Sequence, residues 1–158
     1  MKKILIMQPF LSYGGAEAVS VQFAYQLQKN GYAVKVMALF QKKNLPLYGD
    51  MIEIVSALNL TEFFKANVFN PHNFPTPILA VILGKLLKNP VIWTVHNFPQ
   101  SPFGTRIDKL FARECKAIVC VSEKVQRQIL KDYNLSSKVI YPGIDYKFWS
   151  QVKGKKSK

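Results

Sequence analysis

The sequence contains few of the residues that bind metals or form disulfides. It has two cysteines and two histidines, and Cys115 and Cys120 are too far apart for a C-x-x-C pair. This argues against a zinc site, and no metal or other cofactor is expected. Both cysteines are expected to be small core residues in a reducing compartment, which places the protein in the cytoplasm.

Long apolar segments are also absent. The longest run, Ile78 to Leu83, is far shorter than the roughly 20 residues that a membrane span requires. Ile4 to Met7 is too short for the apolar region of a signal peptide and is typical of a buried strand. We therefore expect neither a membrane span nor a secretion signal.

Acidic residues are scarce. Nine of them face 22 lysines and arginines, so the formal net charge is +13. Four lysines of the C-terminal tail contribute to this charge and leave +9 on the rest of the chain. A basic body favours an acidic partner such as nucleotide phosphates, nucleic acid or an anionic membrane surface.

Neither G-x-G-x-x-G nor a Walker loop is present, so neither an NAD site nor a P-loop ATPase is supported. The chain instead begins with a βαβ pattern over Lys3 to Phe40, in which an apolar run breaks at Gln8-Pro9 and an amphipathic helix follows Gly14-Gly15. Two glycines at a helix N-terminus favour binding of phosphate or carboxylate. A tight strand-to-helix turn explains them equally well.

Apolar runs and helical patterns alternate along the rest of the chain. Strands are predicted at Ile4–Met7, Val34–Phe40, Ile52–Val55, Val68–Asn70, Val91–Val95, Ala117–Val121 and Lys138–Tyr141. Helices fill most of the intervals, and one of them is predicted to start at Thr76, as N-cap, with Pro77 in its first turn. The pattern predicts an α/β fold, a Rossmann-like, doubly wound parallel sheet of about seven strands with helices on both faces.

Ligands bind outside the carboxyl ends of the strands in such a sheet. Residues that follow different predicted strands should therefore line one rim: Gly14-Gly15, His72-Asn73, His96-Asn97, Ser122-Glu123 and Pro142-Gly143.

Four segments resemble, in the same order, the N-terminal half of GT-B glycosyltransferases, in particular the large family 4 of retaining enzymes that use nucleotide-sugars. They are ILIMQPFLSYGGAEAVSVQFAYQLQKNGYAVKV, VIWTVHNFP, AIVCVSEKVQRQIL and KVIYPGIDYKFW, and together they span residues 3 to 149. One small departure is Pro142-Gly143 where the family has Pro-Asn-Gly.

The resemblance implies that residues 1–149 form the acceptor-side domain of such an enzyme. Residues 150–158 are then a basic, disordered tail or the start of an interdomain linker. No counterpart of the family's C-terminal domain, which supplies most nucleotide contacts, is present in the sequence. The implied function is half of a retaining glycosyltransferase, inactive alone, whose partners are a nucleotide-sugar donor, a glycan or lipid-linked acceptor and its own missing C-terminal domain.

The resemblance also implies roles for single residues. His96 would lie under the donor sugar and hydrogen-bond it, as the catalytic-site residue, while a strand-end histidine satisfied by the backbone is the plainer interpretation. Glu17 would orient the glycine loop or touch the acceptor, or simply favour the helix dipole. His72 is interpreted as structural and Ser122 as an N-cap that is open to ligand contact. The expected donor- or acceptor-binding residues are Gly14, Gly15, Glu17, Asn97 and Ser122.

One predicted helix carries a basic face formed by Arg106, Lys109, Arg113 and Lys116. Such a face is usually solvated, but it would also dock on anionic lipid, as a peripheral protein at the inner face of the cell membrane. The competing hypothesis is a basic flavodoxin-like module that binds nucleotides or nucleic acid without catalysis. The sequence has no nucleic-acid recognition motif, so no nucleic-acid partner is expected.

Overall fold

The computed structural model describes residues 2–12, 14–41, 52–97 and 102–143. The loop predicted at Gln41 to Asp50 lies almost entirely outside the described residues, as do most of the loop from Phe98 to Pro102 and the tail at 150–158.

The described residues form seven strands and five helices, which alternate except that β3 follows β2 with no described helix between them. The strands are β1 (Lys3–Leu11), β2 (Ala33–Gln41), β3 (Ile54–Ser56), β4 (Val68–Pro71), β5 (Ile92–Val95), β6 (Ala117–Cys120) and β7 (Lys138–Val139). The helices are α1 (Gly15–Lys29), α2 (Thr61–Lys65), α3 (Thr76–Leu87), α4 (Pro102–Ala112) and α5 (Glu123–Tyr133).

The strands form one four-stranded ladder, in the order β3-β2-β1-β4, and one three-stranded ladder, β5-β6-β7. A parallel bridge between Phe69 and Val91 joins β4 to the start of β5, and the amide of Phe69 donates to the carbonyl of Pro90 at 3.1 Å. All strand pairs are parallel. The predicted α/β fold class is confirmed.

The two faces of the sheet carry different helices. Ile6 and Val36 pack in one cluster with Val21 and Ala24 of α1. Alternate strand residues such as Leu5 pack on the opposite face, in a cluster that includes residues of α2 and α3. Right-handed crossovers explain this arrangement, because the chain moves outward from β1 in one direction through α1 and in the other through α3, α4 and α5.

β1 is longer than the sequence predicts. The apolar run ends at Met7, but the strand continues through Pro9 and pairs with β2 as far as Leu11. Proline is tolerated there because β4 pairs with β1 only as far as Met7, so this part of β1 has one neighbouring strand and Pro9 has a side without a ladder hydrogen bond to supply.

The ends of α1 and the start of α5 follow the sequence, whereas α4 ends at Ala112, before Arg113 and Lys116 of the helix predicted there. Gly31 adopts a φ of +83° after α1, and Ser122 caps α5 by accepting from the amide of Val125 at 3.3 Å. The predicted cap at Thr76 is wrong, because Thr76 is already the first residue of α3 and Pro75 occupies the cap position. The Thr76 hydroxyl instead donates to the carbonyl of Asn73 at 2.7 Å.

A groove of about 570 Å³ lies between α1 and the strands on its face of the sheet. Its walls are mostly apolar and include Val19 and Phe23 of α1 and Val68, Ile92 and Val119 of the sheet. Within the described ranges, no helix is long and apolar enough to cross a membrane.

Candidate functional site

The strand order reverses between β1 and β4, which are neighbours although they are far apart in sequence. Such a switch point opens a crevice at the carboxyl ends of its two strands, where doubly wound folds bind ligands. Gly14 and Gly15 follow β1, and His72 follows β4. The fold therefore brings the glycine loop and His72 to the same edge of the sheet.

Gln8 connects the two sides of this crevice. Its fully buried side chain donates through Nε2 to the carbonyl of Ala16 in the first turn of α1, at 3.3 Å. Its Oε1 accepts from Nδ2 of Asn73 at 3.4 Å. Gln8 was missed in the sequence, where its one signal is an amide directly after an apolar run.

His72 and His96 lie against each other. Nδ1 of His72 is 2.7 Å from Nε2 of His96. The ring centroids are 4.9 Å apart and the ring planes differ by 26°. Because the nitrogens are much closer than the centroids and the planes are nearly parallel, the rings meet edge to edge, as an in-plane hydrogen bond requires. The sequence places both residues on the rim but does not reveal that they touch.

Asn70 holds the second nitrogen of His72. Its Oδ1 lies 3.0 Å from Nε2 of His72, and its Nδ2 contacts the carbonyl oxygen of Ile92 and, at 3.0 Å, Oγ1 of Thr94. We call Asn70, His72 and His96 the histidine cluster. Trp93 contacts this cluster through the backbone, since its Nε1 donates to the carbonyl of His72 at 2.9 Å.

Both imidazoles are neutral at neutral pH. Burial, and then the proximity of His96, lowers the pKa of His72 well below its ordinary value of 6.5. Burial also lowers the pKa of His96 to about 4. A neutral imidazole donates one hydrogen bond and accepts one, and it carries no charge that would attract a phosphate.

The glycine loop begins α1 without a left-handed residue. Gly14 has φ −87° and ψ 161°, which other residues also adopt. A Cβ on Gly14 would meet the carboxylate of Glu17, the far end of a flexible side chain that can move aside, whereas a Cβ on Gly15 would meet open space. Glu17 lies in the first turn of α1, beside Gly14, and its loop-orienting and acceptor-contacting roles stay predictions.

The other predicted binding residues remain separate from the histidine cluster. Asn97 directly follows His96 and is exposed. Oγ of Ser122 accepts from the amide of Val125 at the start of α5, so its capping role is confirmed. Ligand contact by either residue stays a prediction.

A second buried polar cluster was not foreseen. Oδ2 of Asp108 accepts a long hydrogen bond, 3.4 Å, from the hydroxyl of Tyr133, and Oδ1 is buried without a partner. Burial raises the pKa of Asp108 to about 6. We call these two residues the aspartate cluster. In the sequence, Asp108 has the appearance of an ordinary surface acid on an amphipathic helix.

The predicted basic face is only partly free. Arg106, Arg113 and Lys116 are exposed, but Nζ of Lys109 donates to the carbonyl of Asp132 at 3.3 Å and so lies against α5. Across the described ranges, no three His, Cys, Asp or Glu side chains come together in a way that could hold a metal ion.

Several solved structures share this fold. HepE of Anabaena in complex with UDP-glucose matches with a TM-score of 0.79 and 17% identity, over 92% of this chain and 45% of HepE. MurG of Acinetobacter baumannii matches with a TM-score of 0.64 and 16% identity, over 89% of this chain and 45% of MurG. An alpha-glucosyltransferase in complex with UDP and a 13-mer DNA containing an HMU base matches with a TM-score of 0.65 and 14% identity, over 92% and 43%.

The chain thus spans less than half the length of each of these structures, and at these identities the likeness concerns the fold. None of the curated proteins matches its sequence. The model of Glycosyltransferase Family 4 matches residues 13–148, a range that contains the glycine loop and the histidine cluster. The chain belongs to Glycosyltransferase Family 4.

Proposed function

We propose that this chain is the acceptor-side half of a retaining glycosyltransferase that moves a sugar from a nucleotide-sugar to a glycan or lipid-linked acceptor. The observation that carries the proposal is the family match over residues 13–148, together with an imidazole pair at the switch point of the sheet. HepE, whose fold is similar, was solved with UDP-glucose, which supports a nucleotide-sugar as donor.

The groups at this rim indicate which parts of the substrates this chain binds and which are left to a second domain. The chain's rim offers a neutral imidazole and the side chain of Asn97, which suit hydroxyl groups of a sugar, and backbone amides at the N-terminus of α1, which suit hydroxyl or anionic groups. The resemblance assigns most contacts to the nucleotide to the family's second domain. The 158-residue chain is therefore expected to bind sugar hydroxyls weakly and to lack turnover alone.

The proposal is tested with the purified chain and with a fusion in which it is joined to the C-terminal half of HepE. Each is incubated with a panel of nucleotide-sugars and with glycan and lipid acceptors, and products are identified by mass spectrometry. We expect product from the fusion and none from the chain alone. Turnover by the chain alone would overturn the two-domain proposal.

We also propose that the protein works at the cytoplasmic face of an anionic membrane, held through α4. Arg106 and Leu110 lie on α4 at helical spacing, Arg113 directly follows the helix, and all three are exposed, with Leu110 63% accessible. Leu86 of the adjoining helix α3 is 72% accessible. Exposed leucines between arginines favour an anionic lipid surface, and each basic residue contributes about 1 kcal/mol there.

Sedimentation with vesicles of anionic or neutral lipid tests this proposal. Binding should be strong to anionic vesicles at low salt and weak at high salt, because exposed charges are screened. Arg106→Glu with Arg113→Glu should abolish it, whereas the matched pair Lys124→Glu and Lys131→Glu on α5 should have little effect. Equal binding to neutral vesicles would contradict the charge mechanism.

A further inference from the structure

The hydrogen bonds of the histidine cluster fix the position of every proton in it. The carbonyl oxygen of Ile92 can only accept, so the atom of Asn70 beside it is the amide nitrogen. The other amide atom of Asn70, which faces Nε2 of His72 at 3.0 Å, is then the oxygen. An amide oxygen also only accepts, and Nε2 of His72 therefore carries a hydrogen.

The same reasoning continues to His96. A neutral imidazole has one N–H and one bare nitrogen, so Nδ1 of His72 is bare and accepts. The 2.7 Å contact to Nε2 of His96 must then be donated by His96. The hydrogen of His96 is used in this bond, and its own Nδ1 is left bare.

Nε2 of His96 is engaged by His72, so Nδ1 is the one other ring nitrogen through which His96 could meet a ligand. The ring itself is partly exposed at the end of β5. A bare imidazole nitrogen accepts a hydrogen bond from a hydroxyl group but repels the lone pairs of phosphate or of a developing oxyanion.

We propose that Asn70 is a positioning residue, which, through His72, holds His96 in the tautomer that presents a hydrogen-bond acceptor to the rim. The ligand group that His96 contacts is then a hydroxyl, such as that of a sugar, and not an anion. That identification of the ligand rests on the proposed function, whereas the proton arrangement does not.

The test uses the complete 158-residue chain, labelled with ¹⁵N, and long-range ¹H–¹⁵N correlation spectra of the imidazoles at pH 7. With only two histidines in the sequence, His96→Gln assigns both rings. We expect each ring as a single neutral tautomer with hydrogen on Nε2. Hydrogen on Nδ1 of His96, a mixture of tautomers, or a protonated ring in the wild-type chain would overturn the proposal.

Two variants then assign the effect to Asn70. Asn70→Leu removes the acceptor for His72, so both rings should show averaged nitrogen frequencies of mixed tautomers. Thr94→Val is the matched control, since it removes a different partner of Asn70 and should leave the tautomers unchanged. A folded Asn70→Leu chain with unchanged tautomers would refute the role of Asn70. If Asn70→Leu does not fold, Asn70→Ser, whose shorter side chain should not reach His72, replaces it with the same expected result.

These spectra require no sugar transfer. Fixed Nε2–H tautomers would therefore support the proton arrangement whatever the sugar-transfer assays show, and mixed tautomers would overturn it even in an active fusion.

Discussion

Trp93 contacts two buried polar clusters that differ in how completely their atoms are paired. Its indole N–H donates to His72 of the histidine cluster, and its ring lies 6.3 Å from that of Tyr133 in the aspartate cluster. In the histidine cluster, both amide atoms of Asn70 and both nitrogens of His72 have partners. In the aspartate cluster, Oδ1 of Asp108 has none.

The difference shows what burial does to neutral and to charged groups. Burying neutral amides and imidazoles costs little free energy when each donor meets an acceptor, and the network of hydrogen bonds then fixes their orientation. A carboxylate with one long hydrogen bond is stabilised too little to offset its lost hydration, which is why the pKa of Asp108 rises to about 6. We infer that the first cluster serves orientation at the rim, whereas the second lowers stability.

Replacing His96 should produce the largest effect, and it should appear in activity. In the fusion enzyme, His96→Ala removes a preorganised hydrogen-bonding group, a change that typically costs about 10²–10³-fold in turnover. The melting temperature should stay within a few degrees of wild type, because the ring lies partly exposed at a strand end. Turnover and thermal unfolding measured on the same preparations check both expectations.

The control for His96 has to lie outside the cluster. His72, interpreted from the sequence as structural, is in contact with His96, so His72→Ala should also reduce turnover. Lys131→Ala, an exposed change on α5, should leave it unaffected. Full activity of His96→Ala, or loss of activity through unfolding alone, would show that His96 has no role at the site.

Replacing Asp108 should raise the stability of the folded chain at neutral pH. A folded-state pKa of about 6, above the ordinary 3.8, means that the favourable contribution of protonated Asp108 is complete below pH 3.8 and is lost as pH rises through about 6. Asp108→Asn should therefore stabilise the chain by about 2–3 kcal/mol at pH 7, with little gain at pH 4. Urea unfolding at both pH values measures the difference; an equal effect at pH 4 and 7 would contradict it.

Much of the fold follows from the sequence because buried strands and amphipathic helices carry periodic patterns. The extension of β1 through Pro9 does not, since it depends on where β4 ends beside it. The Thr76 cap was wrong for a similar reason. Its hydroxyl also lies 3.3 Å from the carbonyl of Met7, a contact with a distant strand that no local pattern contains.

The site was predictable as a set of positions but not as a set of contacts. Strand ends gave His72 and His96 as rim residues, yet their contact depends on the alignment of β4 with β5 through the Phe69–Val91 bridge. Gln8 and Asn70 were missed because a single amide in or after a strand has many structural uses.

Trp93 contacts both clusters, and removing its N–H should disturb the histidine cluster with a smaller effect than the changes above. Trp93→Phe keeps an aromatic ring but removes the N–H, so the carbonyl of His72 loses its 2.9 Å partner. An unpaired buried acceptor costs about 1–3 kcal/mol, to be measured by urea unfolding. Tyr133→Phe is the matched change in the aspartate cluster and should leave the ¹⁵N signals of both histidines unmoved. Trp93→Phe with wild-type stability would show that this bond contributes nothing.

The smallest expected effect is the pH dependence that His96 gives to folding. Its pKa is lowered from 6.5 to about 4 by burial, so its contribution is complete above pH 6.5 and is lost as pH falls through about 4. This is the reverse of Asp108, and in the wild-type chain the two trends partly cancel between pH 6 and 4.

Allowing for the partial exposure of the ring, His96→Gln should remove about 1–2 kcal/mol of acid destabilisation over this range. In the Asp108→Asn background, where the opposing trend is gone, the comparison is direct. Equal slopes of unfolding free energy against pH for Asp108→Asn and for the double variant would mean that His96 ionises alike in the folded and unfolded chain, which would contradict the lowering of its pKa by burial.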